Sequence, residues 1–82
     1  RRGQLGVAGL GRLPRAIRTR VLRGWVRELG AEPLSAERTA ALDALVTDWH
    51  GQGPIELPGG IGVRRESGRL QAYPTASREQ RV

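Results

Sequence analysis

Eighty-two residues make one small domain, and an apolar share of 38% with no Phe, no Met, one Tyr and two Trp leaves its core lean. There is no Cys, which excludes disulfides and thiolate metal sites, and no apolar run approaches the roughly 20 residues a membrane span needs. All 14 basic residues are Arg against 8 acids, a formal net charge of +6 that suits a polyanionic partner, although Arg without Lys is also what a GC-rich coding sequence produces.

The chain lacks a starting Met and opens at Arg1-Arg2 before Gly-rich sequence, not an apolar block. It therefore reads as a piece of a longer protein, without a signal peptide and located in the cytoplasm. Residues 1–12 hold Gly3, Gly6, Gly9 and Gly11 and are expected to be a flexible lead-in. They do not spell a G-x-G-x-x-G fingerprint, and no Lys-Ser/Thr pair completes a phosphate loop.

A first helix is predicted from about Pro14 to Leu29. Pro14 suits its first turn, and Gly30 sits where a left-handed C-terminal cap is wanted. Leu10, Leu13, Ile17, Val21, Trp25 and Leu29 recur at three- and four-residue spacing as one apolar stripe. Arg12, Arg23 and Arg27 fall nearly opposite, with Arg15 and Arg20 on the shoulders. Arg18 and Glu28 project close to the stripe, where a long side chain either reaches its edge or pairs with another element. Arg23 and Arg27 repel at i,i+4 and no acid lies at the matching spacing, a strain that an anionic partner relieves.

After a short link with Pro33, Ser35 is a good N-cap and Glu37 lies in the first turn of a second helix predicted over about 36–49. Leu42, Leu45, Val46 and Trp49 share one of its faces. A link this short makes the two helices antiparallel neighbours packed through their stripes. Trp25 and Trp49 read first as core or interface residues and second as base-stacking platforms. His50, the only histidine, sits at the helix end with no nucleophile or paired carboxylate around it, which suits a cap or an RNA contact but not a general base.

From Gly51 the period becomes two. Ile55-Glu56-Leu57, Ile61 to Glu66 and Arg69 to Tyr73 read as three strands joined by Pro58-Gly59-Gly60 and Ser67-Gly68. Arg64, Arg65 and Arg69 gather around the second turn as another basic focus. Residues 74–82 are expected to be a disordered tail. The fold predicted is α+β: two antiparallel helices followed by a small antiparallel hairpin or three-stranded meander, an accessory domain over residues 13–73. No carboxylate dyad, metal cluster or nucleophile–base pair is visible in the sequence, so no catalytic residue, cofactor site or metal site is assigned to the chain.

Leu13 to Trp25, Leu42 to Gly53, Leu57-Pro58-Gly59-Gly60, and Val63-Arg64-Arg65 followed by Gly68-Arg69-Leu70 together resemble a segment of bacterial tRNA(Ile)-lysidine synthases, especially actinobacterial ones. The resemblance covers about residues 10–73. It implies a parent enzyme that uses ATP and lysine to convert the wobble cytidine of an isoleucine tRNA to lysidine, with chemistry in an N-terminal PP-loop domain. The Ser-Gly-Gly-x-Asp-Ser motif of that domain is absent here. By this resemblance the chain is the region after the catalytic domain and helps to hold tRNA, with Arg15, Arg23, Arg27, Arg64, Arg65 and Arg69 as candidate phosphate contacts. Two other readings remain at this point. One is a structural module whose helical stripe packs on the parent catalytic domain or forms a homodimer. The other is a helix-turn-helix DNA binder, against which the acidic outer face of the second helix (Glu37, Asp48) counts.

Overall fold

The computed structural model describes residues 3–75. In chain order it holds β1 (Gln4–Gly6), α1 (Val7–Gly11), α2 (Arg15–Glu28), α3 (Ala36–Thr47), β2 (Ile55–Leu57), β3 (Ile61–Glu66) and β4 (Arg69–Pro74). The sheet is antiparallel throughout, in the order β1-β4-β3-β2. The α+β class is as expected, and the meander is formed by β2, β3 and β4.

The expected lead-in departs from the prediction. Gln4, Leu5 and Gly6 pair with Gln71, Leu70 and Arg69, which adds a fourth strand at the sheet edge. Val7 and Leu10 of the short α1 are buried in the core. The physical reason is the alternation of the sheet: Leu5 falls opposite the buried Leu70, so pairing this segment covers apolar surface that β4 alone would leave open. The tail expected over residues 74–82 begins with Pro74 inside β4, and residues 76–82 lie outside the described residues.

Helix α2 starts and stops as its sequence dictates. Pro14 is its N-cap, accepting from the backbone N–H groups of Ile17 and Arg18. Its end is a Schellman turn: Gly30, at φ 108°, donates to Arg27 O (3.0 Å) and Ala31 donates to Val26 O (2.9 Å). Ser35 caps α3 by accepting from the N–H of Arg38 at 3.1 Å.

The buried face of α2 is not the predicted stripe. Arg18, Thr19, Leu22, Trp25 and Val26 point inward, while Ile17 and Val21 are 47% and 38% exposed. The helix is rotated by roughly one residue's 100° step from the stripe read in the sequence. Leu22 and Val26 pack with Leu42 and Leu45 of α3 and with Val63 and Leu70 of the sheet, the most deeply buried side chains of the core. Helix α3 also ends at Thr47, two residues before the predicted limit, and Trp49 is 40% exposed instead of sharing the face of Leu42 and Val46.

The first sheet turn locks the helices to the sheet. Pro58 O accepts from Glu32 N at 3.0 Å, and Gly59, at φ 103°, lies so close to the α2–α3 link that a Cβ there would stand 2.7 Å from Gly30 O.

Candidate functional site

The charged side chains sort into those that hold the fold and those that remain available. Arg18 belongs to the first group. Its Nε donates to Asp43 Oδ1 at 2.5 Å, its Nη2 to Asp43 Oδ2 at 3.0 Å and its Nη1 to Leu13 O at 2.8 Å, so one buried guanidinium joins α3, α2 and the segment before α2. The hydrogen bond to Asp43 raises the Arg18 pKa, burial opposes that rise, and the charge of Asp43 adds to it. Arg18 is therefore a permanent cation, and any stability it confers is complete below the ordinary arginine range and lost only above it. Arg38 likewise donates from its Nη1 to Glu56 O, linking α3 to β2.

The orientation fixed by Arg18 turns another face of α2 outward. Arg20, Arg23 and Arg27 follow one another at three- and four-residue spacing and line a cleft of about 350 Å³ with Gly24, Pro33 and Leu34. No carboxylate lines this cleft, and no ion pair among the described residues engages any of its three arginines. Of the expected contacts, Arg23 and Arg27 are thus brought together, joined by Arg20, which sequence spacing left on a shoulder of the stripe. The signal for Arg20 was present: with the true buried face known, it falls in line with the other two. Arg15 is apart from them, 4.0 Å from Asp43 at the opposite end of α2.

At the second basic focus, β3 sends consecutive arginines to opposite sides of the sheet. Arg65 turns inward. Its Nη1 donates to Leu45 O at 2.8 Å and Val46 O at 3.5 Å, satisfying carbonyls that the last turn of α3 leaves open, and its guanidinium stands 5.1 Å from the centre of the Trp49 ring. Arg64 turns outward, paired with Glu66 at 3.2 Å and lying 5.1 Å from the Tyr73 ring centre. Arg69 is exposed and donates to Gln4 Oε1 at 3.4 Å. The three arginines at the turn therefore have different duties: one closes a helix end, one is partly neutralised, and one is held, among the described residues, by a neutral amide.

His50 closes the turn after α3: its N–H donates to Gln52 Oε1 at 2.8 Å, and its ring Nδ1 lies 3.0 Å from Asp48 O. Gln52 in turn donates to Asp48 O at 3.2 Å and Ala44 O at 3.5 Å. Among the described residues, no group of three His, Asp or Glu is placed to hold a metal ion, and no helix is long and apolar enough to cross a membrane.

Fold and charge distribution together define a small α+β domain that presents an unneutralised arginine cleft. The TilS substrate binding domain model matches residues 5–71, and the chain belongs to that family. It is 56% identical over 72 residues to the tRNA(Ile)-lysidine synthase of Salinispora tropica, which covers 85% of this chain and 22% of that protein. The tRNA(Ile)-lysidine synthase of Salinispora arenicola is 56% identical over 70 residues, 83% of this chain and 21% of that protein. That of Thermobifida fusca is 50% identical over 68 residues, 80% of this chain and 21% of that protein. The chain thus spans about a fifth of the length of the curated relatives it matches. No solved structure matches it.

Proposed function

We propose that this chain is the tRNA-binding accessory domain of a cytoplasmic tRNA(Ile)-lysidine synthase, and that its parent enzyme makes lysidine at the wobble cytidine with ATP and lysine. The observation that carries this reading is the cleft of Arg20, Arg23 and Arg27. Three cations on one helix face, without an acid among them, repel one another until an anion enters. Guanidinium groups bind phosphate oxygens through forked hydrogen bonds, and neutralising backbone phosphates releases counterions. Such contacts orient an RNA without reading its sequence, which fits a domain that presents substrate to chemistry performed elsewhere.

In this reading ATP binds outside the chain. The arginine cleft has no carboxylate to hold the metal ion that accompanies a nucleoside triphosphate, so its residues suit backbone phosphates and not the nucleotide. The exposed pair Ile17 and Val21 on α2 favours a second contact, with the catalytic domain of the same polypeptide. The RNA reading is tested by measuring binding of the 82-residue chain to an isoleucine tRNA across a salt series. Binding that weakens with salt, and that is lost when Arg20, Arg23 and Arg27 are all replaced by Ala, supports it. Equal binding by the triple variant, or no binding at low salt, removes it.

A further inference from the structure

The geometry points to Trp49 as a stacking platform for one unpaired base of an RNA, a contact separate from the phosphate cleft. The inference rests on the RNA-binding reading above and adds what part of the RNA this end of the domain takes. Trp49 is 40% exposed although it is the largest side chain in its neighbourhood, and it is not carried on a loose loop. The turn that bears it is tied by Gln52 to Asp48 O and Ala44 O, by the N–H of His50 to Gln52, and by the His50 ring to Asp48 O. From the protein side, the Arg65 guanidinium sits 5.1 Å from the indole centre, and that guanidinium is itself fixed by the carbonyls of Leu45 and Val46. The indole is thus supported by a positioned cation while a large part of its surface stays open to solvent. A preorganised aromatic loses little entropy on stacking, and every base offers a π-face to it.

The surroundings select the occupant. Thr47, Asp48, His50 and Gly51, its neighbours along the chain, are all exposed and are polar or small, so the segment that carries Trp49 presents no apolar stretch of the kind that anchors a protein partner. Asp48 next to it disfavours a phosphate. A neutral ring is the part of a nucleic acid that such a site accepts, and only an unpaired nucleotide exposes that ring. Within a duplex the bases are stacked on each other and closed to the indole.

The test follows the indole emission of the 82-residue chain during titration with an unstructured oligoribonucleotide of about 12 nucleotides, and with the same strand annealed to its complement. The single strand is expected to quench the emission and the duplex to leave it unchanged. Trp49→Phe is expected to bind within about threefold of the parent chain but without the quench, and Trp49→Leu to bind about 5- to 140-fold more weakly. The slope of log affinity against log salt stays the same in Trp49→Leu, because stacking releases no counterions. Circular dichroism of both variants establishes that they fold. RNA binding that persists with no quench, or with Trp49→Leu at parental affinity, overturns the stacking inference and leaves the arginine cleft intact. Failure of the parent chain to bind RNA at low salt overturns both readings.

Discussion

Arg18 and Asp43 meet in a two-point ion pair between α2 and α3, closed from solvent, with the third arm of the guanidinium bonded to Leu13 O. This pair decides which side of α2 faces the core and so where the remaining arginines of that helix point. Replacing Arg18 with Ala leaves the buried Asp43 carboxylate facing the exposed Arg15 at 4.0 Å in place of its two-point partner, at a cost of about 3–5 kcal/mol. That is a large part of the 5–10 kcal/mol, to order of magnitude, that a domain of this size has in total. Urea unfolding of Arg18→Ala is expected to show a much lower midpoint. The double replacement Arg18→Met with Asp43→Leu is expected to recover most of the loss, since the pair confers register more than net stability. A double variant no better than the single one would contradict this account.

Arg23→Ala and Arg27→Ala are expected to act on binding and not on folding. Each lowers the magnitude of the salt slope for tRNA by about 0.7–0.9, the share of one released counterion. Their unfolding midpoints stay equal to the parent's or rise slightly, because each removes a like-charge neighbour worth about 0.2–0.5 kcal/mol. Parallel binding and unfolding series on the same samples check both halves.

Arg65→Ala is expected to show the opposite pattern. It opens the carbonyl end of α3 and withdraws support from Trp49, costing about 1–3 kcal/mol of stability. Its salt slope matches that of the parent chain. A lowered slope with an unchanged unfolding midpoint would show that Arg65 meets phosphate directly.

Gly59→Ala places a methyl group 2.7 Å from Gly30 O on a backbone at φ 103°. Steric overlap and left-handed strain act together, and the loss is expected to exceed about 1–3 kcal/mol. Gly53→Ala is the matched control: a Cβ there meets nothing within 4 Å, so its thermal midpoint stays near that of the parent.

The parts of this fold that sequence exposes are those with local causes. Ser35, Gly30, Pro58-Gly59-Gly60 and Ser67-Gly68 act on their own neighbours, and each marks a boundary found in the structure. The parts that it hides depend on distant partners. Hydropathy ranks Ile17 and Val21 above Arg18 and Thr19 as core residues, and only Asp43, 25 positions beyond Arg18, reverses that order. Strand β1 is three residues, the last of them Gly6, with Gly3 before it, and it becomes a strand through β4, some 65 residues downstream. For the candidate site, Arg23 and Arg27 were legible from helical spacing. Arg20 was misplaced by the error in helix phase, and the inward turn of Arg65 needed the carbonyls of α3 to be known.

The antiparallel pairing of β1 with β4 brings Gly3 O within 2.9 Å of Ala72 N, so the start of β1 and the end of β4 lie at one corner of the domain. Gly3, Leu29, Gly59 and Pro74 border a common hollow there, which places that corner beside the C-terminal end of α2. Thr75 N donates to Gly60 O at 2.8 Å beside the same hollow, so both ends of the described residues lie at this corner. Arg27 lies two residues from Leu29, close to that corner, while Trp49, beside Arg65, and the Glu66–Arg69 turn lie at the other end of the sheet, so the two basic regions are held at opposite ends of the domain.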